Sequence, residues 1–183
     1  MNAAAQQILE ALVRWQRPGP EPLVVAIDGH GAAGKTTIAH QVASRSGAEI
    51  LSMDSFFHAA APNDDPRPMA QYYDWSKLRR QALEPAIARL RARPSGGVIL
   101  LEGVSSSAPA LADHVNRSVL VVTPAPVRLE RLHARVSAEE WDEAWLEAER
   151  AYFATRPPAS FDLVVCGDTE ARRNGACARE GSA

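Results

Sequence analysis

"LVVAIDGHGAAGKT", residues 23 to 36, decides the fold. Its first six residues are an apolar run that ends on Asp28, which suits a strand buried on both faces of a parallel sheet. The next eight, Gly29 to Thr36, fit the spacing G-x-x-x-x-G-K-[ST]. In such a loop the backbone N–H groups and the following helix N-terminus converge on an anion. Its glycines permit a tight turn and the close approach of phosphate oxygens. Gly29, His30, Gly31, Ala32, Ala33, Gly34, Lys35, Thr36 and Thr37 are therefore expected to cradle the phosphates of ATP. Lys35 is expected to reach the β- and γ-phosphates and Thr36 to ligate Mg²⁺. Of the 20 basic residues only Lys35 and Lys77 are lysines. In a chain that prefers arginine, a lysine in that slot suits a compact point charge. The plainer alternative is a glycine-rich turn with a surface lysine.

Further strands and helices alternate outward from this unit. Residues 3–15 carry Ile8, Leu12 and Trp15 at helical spacing, and "RPGPEP" breaks that helix. A helix over 35–45 is expected after the loop. Strands are expected at 48–53, 98–103, 118–123 and 161–166. A helix is predicted from Trp75 to Arg93, with Pro85 marking a kink or break. Two more helices are expected near 126–136 and 138–153. Residues 58–70, with Pro62, Pro66 and Pro68, read as a long loop of the kind that is often functional. Strands alternating with helices predict an α/β fold in three layers, a five-stranded, mostly parallel sheet flanked by helices. One domain over 1–183 is expected, with its core at 22–166, a lid region at about 124–150, and a loosely held tail at 168–183.

Ligands in such sheets bind beyond the carboxyl ends of the strands. Asp54 follows the second strand and Glu102 closes the third. Phosphoryl transfer needs an acid to hold or orient Mg²⁺ and another to take the proton of the attacking hydroxyl. Asp54 and Glu102 are the candidates, converging only if their strands are neighbours. A helix N-cap is the simpler reading of Asp54, and a surface acid in a turn is that of Glu102.

"GHGAAGKTT" (29–37), "ILSMDSFF" (50–57), "YYDWSKLRRQALEP" (72–85) and "ILLEGV" (99–104) together resemble the uridine kinase-like group of P-loop kinases. The likeness spans roughly residues 22 to 166. It implies the P-loop kinase fold, with Asp54 beside the acceptor hydroxyl as base, Glu102 in the metal site with Thr36, and Phe57 near a nucleoside. Asp54 is also counted with the metal site. The His-Pro-Asp stretch of uridine kinases is missing from the loop before "YYDW". The resemblance favours a nucleoside as acceptor in an ATP-dependent small-molecule kinase, with a pantothenate-like compound, a sugar or a nucleoside monophosphate as the alternatives.

"VRLERLHARV", 127 to 136, carries Arg128, Arg131 and Arg135 on one helical stripe. In P-loop kinases a lid arginine covers the transferring phosphate, and Arg131 and Arg135 are the preferred candidates over Arg128. A solvated basic face is the alternative. Trp141, Trp145, Ala148 and Tyr152 share a helical face that reads as core. Tyr72, Tyr73 and Trp75 follow the long loop. They either contact the substrate or anchor the loop. His30 and His58 flank the expected site without metal-ligand spacing.

Net charge is −2 with no basic block, which argues against nucleic acid as a partner. No run approaches the ~20 apolar residues of a membrane span, and the first residues lack the pattern of a signal peptide. Cys166 and Cys177 lack metal spacing, so a reduced, cytoplasmic protein is the simplest reading. The expected partner is a small-molecule hydroxyl acceptor, with neither nucleic acid nor membrane, and a homo-oligomer is left open. A nucleotide-hydrolysing switch is the second class, but the segment after the fourth strand, "TPAPVRLE", lacks the Asn/Thr-Lys-x-Asp of guanine readers.

Overall fold

The computed structural model describes residues 2–58, 68–135, 143–173 and 175–177. Five strands form its centre: β1 (Leu23–Asp28), β2 (Glu49–Ser52), β3 (Val98–Glu102), β4 (Arg117–Val122) and β5 (Leu163–Cys166). They pair in the order β2-β3-β1-β4-β5, and every pairing is parallel. The strand that leads into the phosphate loop therefore lies in the middle.

The period-2 alternation of the strands sends side chains to two cores. Val25, Ile27, Leu100 and Val121 face α1 (Ala3–Trp15) and α2 (Lys35–Ser46), against Ile8, Leu12, Ile38 and Val42. On the other face Val24, Ile99 and Leu101 meet the segment that runs from α3 (Trp75–Leu78) to α4 (Glu84–Arg91) through Leu78, Leu83 and Leu90. Among the described residues the chain also forms α5 (Ala125–His133), α6 (Glu143–Ala154) and α7 (Thr169–Arg173). The Asn2 side chain caps α1 by accepting the Ala5 N–H at 2.9 Å. No helix among the described residues is long and apolar enough to cross a membrane.

β2 is only half-buried, because it lies at the sheet edge with a neighbour on one side only. The helix expected over 75–93 breaks beside Pro85, where a kink or break is expected, through a π turn, Arg79–Leu83, in which the Glu84 N–H reaches the Arg79 carbonyl five residues back. That wider turn accommodates Pro85, which has no N–H and would crowd the preceding turn of a regular helix. The cysteines are not free thiols: Cys166 and Cys177 are disulfide-bonded, with Cα atoms 5.8 Å apart. The start of the tail also folds. The Asp168 carboxylate accepts the N–H groups of Glu170 and Ala171 at 3.0 and 2.8 Å, which turns the chain back into α7 and toward β5. Val136 and Trp141 lie outside the described residues, as does most of the proline loop.

Candidate active site

In parallel register Glu102 of β3 stands opposite both Ile27 of β1 and Ser52 of β2. The carboxyl ends of three strands therefore lie side by side. Asp28, Glu102 and the short 3₁₀ turn Met53–Phe56, which carries Asp54, are delivered to one edge of the sheet.

The phosphate loop leaves β1 at Gly29, whose φ is +145° and where a Cβ would lie 2.4 Å from the Val121 carbonyl oxygen. Only glycine fits that passage. Lys35 opens α2 with its side chain folded into the loop. Its Nζ donates to the carbonyls of Gly29 at 2.7 Å and His30 at 2.8 Å. Burial pulls the ammonium below its ordinary pKa, against the opposing charges of Glu149, Asp28, Glu102 and Asp54. The Thr36 hydroxyl donates to Glu102 Oε2 at 3.0 Å. Hydroxyl and carboxylate side by side form the partial oxygen set that suits Mg²⁺, which takes its other ligands from phosphate and water. Among the described residues no group of three or more His, Cys, Asp or Glu could hold a metal by itself.

A cleft of about 210 Å³ joins these parts. Lys35, Thr36, Thr37, Asp54, Glu102, Arg135 and Trp145 line it, along with glycines of the loop. Asp54 is exposed on its lip. It does not cap the 3₁₀ turn: Ser52 holds the cap position, and Asp54 sits inside the first turn. The simpler reading of Asp54 therefore falls away, and Glu102 is no surface acid, being 3% exposed.

The remaining candidates divide between the cleft and its surroundings. Arg131 is ion-paired to Asp168 at 2.6 Å and donates to the Ala32 carbonyl at 3.2 Å, bracing the loop from the β5 side. Arg135 faces the cleft. Phe57 is 40% exposed, with its ring 5.2 Å from Trp145. Tyr72 and Tyr73 are buried behind it. Burial, with Asp54 and the other acids of the site, pushes the Tyr73 phenol far above its ordinary pKa. Trp75 packs on Tyr73 and donates its indole N–H to the Ala70 carbonyl at 2.6 Å. His30 turns away from the cleft, toward Glu149 and Phe153. His58 lies 4.0 Å from Asp74.

Sequence reasoning missed a buried polar frame beneath the loop. Asp28 is fully buried. It accepts the N–H groups of Gly29 and Ser105 at 2.8 and 2.9 Å, and the hydroxyls of Ser107 and Tyr152 at 2.6 and 2.8 Å. Glu149 is 1% exposed and accepts the Gly31 N–H at 2.5 Å. Burial raises its carboxyl pKa, but His30, the Gly31 N–H and Lys35 outweigh that and hold it below the ordinary value. The signal available was an acid beside Ala148 on an apolar helix face. Gly167 completes the frame: a Cβ there would lie 2.1 Å from the Ala33 carbonyl oxygen and 2.6 Å from Thr123 Oγ1. Gly167→Ala must push the loop backbone aside. It is expected to destabilise the protein by about 1–3 kcal/mol and to weaken nucleotide binding, read by thermal unfolding and by titration with Mg·ATP.

The family model described as AAA domain matches residues 24–157. No curated protein sequence matches the chain. Among solved structures, a possible uridine kinase from Bacillus stearothermophilus aligns with a TM-score of 0.61 at 17% identity, covering 88% of this chain and 96% of that one. A protein provisionally described as a fructose transport system kinase, from a Silicibacter species, gives 0.62 at 20% identity, covering 90% and 100%. A sugar kinase from a Janibacter species gives 0.55 at 21% identity, covering 87% and 95%. At such identities the likeness is one of fold, a five-stranded parallel sheet flanked by helices.

Proposed function

The chain belongs to the AAA domain family, and from that premise we propose that it is an ATP-dependent small-molecule kinase. It transfers the γ-phosphoryl group of Mg·ATP to a substrate hydroxyl, with a nucleoside as the favoured acceptor. One observation carries this reading. Lys35, the Thr36–Glu102 pair and Asp54 line a single cleft, with an acid standing across from the phosphate loop.

Lys35 and the loop amides would hold the phosphates, and Thr36 with Glu102 would hold Mg²⁺. When bound, the metal neutralises charge on the phosphate oxygens. Asp54 accepts the proton of the acceptor hydroxyl as its oxygen bonds to the γ-phosphorus. The bond to the bridging oxygen breaks, and ADP leaves with that electron pair. Arg135 supplies positive charge at the same cleft. The exposed Phe57 ring and Trp145 offer an apolar wall for a base or sugar face. Pantothenate-like, sugar and nucleoside monophosphate acceptors fit the same chemistry.

The test is ADP release from Mg·ATP in the presence of nucleosides, sugars, vitamins and nucleoside monophosphates, each tried singly. Stimulation by one compound is expected, whereas stimulation only by a protein partner would sink the kinase reading in favour of a switch. Glu102→Gln serves as a second check. It should raise the Mg²⁺ concentration needed for half-maximal turnover roughly 10–100-fold, with activity recovering at high Mg²⁺.

A further inference from the structure

We propose that α6 is the strut that couples the acceptor recess to the phosphate loop, with Glu149 as its positioning residue. This rests on the kinase reading for the identity of the recess. Residues 145, 149, 152 and 153 fall on one face of α6 at helical spacing. At one end of that face the Trp145 ring lies 5.2 Å from the rings of both Phe57 and Tyr72, and Trp145 lines the cleft. One turn on, Glu149 Oε1 accepts the Gly31 N–H at 2.5 Å. Its Oε2 lies 3.0 Å from His30 Nδ1 and 3.9 Å from an Arg128 nitrogen. The next turn brings the Tyr152 hydroxyl to Asp28 at 2.8 Å and the Phe153 ring to within 4.1 Å of His30.

One helix thus grips the loop at its first residues and again at Gly31, and it also forms a wall of the recess. A buried carboxylate is tolerated only when its charge and lone pairs are met, and the phosphate loop meets those of Glu149. Packed interiors move as blocks rather than deforming continuously. A displacement of α6 at Trp145 therefore shifts the support of Gly31. Conversely, filling the phosphate loop fixes the wall of the recess.

Hydrogen exchange of the full chain, with and without Mg²⁺ and a non-hydrolysable ATP analogue, tests this. In the wild type the analogue should slow exchange in the loop (29–37) and also in the recess turn (53–57). Glu149→Ala should weaken analogue binding roughly tenfold and confine the slowing to the loop. Glu149→Gln, whose amide oxygen can accept the same Gly31 N–H, should restore both. Tyr152→Phe, a milder change, should weaken the spread of protection if the alanine variant does not fold. Retention of affinity and recess protection in Glu149→Ala, a glutamine variant that behaves like alanine, or an unaffected Tyr152→Phe overturns the proposal. So does a wild-type recess that ignores the analogue, while the kinase reading survives each of these. A wild type that binds no nucleotide overturns both.

Discussion

Lys35→Ala should abolish phosphoryl transfer, lowering turnover by roughly 10³-fold or more at saturating Mg·ATP and acceptor. The reason is where the ammonium stands. Its Nζ is folded over the Gly29 and His30 carbonyls inside the loop, at the mouth of a cleft that also holds Asp54 and Glu102. Those acids and a nucleotide triphosphate would repel one another without it. Burial already pulls the Lys35 pKa down, so the protein holds this charge against a desolvation cost. Lys35→Arg should not rescue activity, because a planar guanidinium cannot occupy a slot built for a compact charge. A coupled assay of ADP formation reads the loss. Far-UV circular dichroism of both variants should match the wild type, since β1 and α2 keep their core contacts.

Asp54→Asn should lower turnover by about 10²–10⁴-fold while leaving the Kd for Mg·ATP nearly unchanged. Asparagine keeps the size of the side chain and the 3₁₀ turn, in which Asp54 supplies a backbone carbonyl to the Phe57 N–H. It removes the carboxylate proposed to take the acceptor proton. Near-normal turnover on the true substrate would show that Asp54 is not the base. If Asp54 acted chiefly as a metal ligand, raising Mg²⁺ would recover the lost activity, as expected for Glu102→Gln.

The sequence made the loop, the strands and the acid-bearing strand ends legible, because each rests on a local pattern. "LVVAID" and "VILLE" can bury such apolar runs only in a sheet covered on both faces, and the glycine spacing of residues 29–36 has few other uses. Side-by-side placement of Asp54 and Glu102 followed once the strand order made β2 and β3 neighbours. What stayed hidden was tertiary. Glu149 and Tyr152 look like ordinary members of an amphipathic helix until α6 is laid against the phosphate loop. Arg131 and Arg135 sit on one stripe, yet the fold sends one to Asp168 and the other to the cleft. The disulfide depends on Asp168 turning the chain into α7, a reversal that no cysteine spacing announces.

The destination of the γ-phosphate is the most direct test of the central claim. ATP labelled at the γ-position should be incubated with the protein, Mg²⁺ and whichever compound stimulates ADP release, and the products separated. The kinase reading predicts label covalently attached to that compound through its hydroxyl, in step with ADP formed and dependent on Lys35 and Asp54. Label recovered only as inorganic phosphate, with every acceptor unmodified, would contradict it and make the cleft a site of hydrolysis.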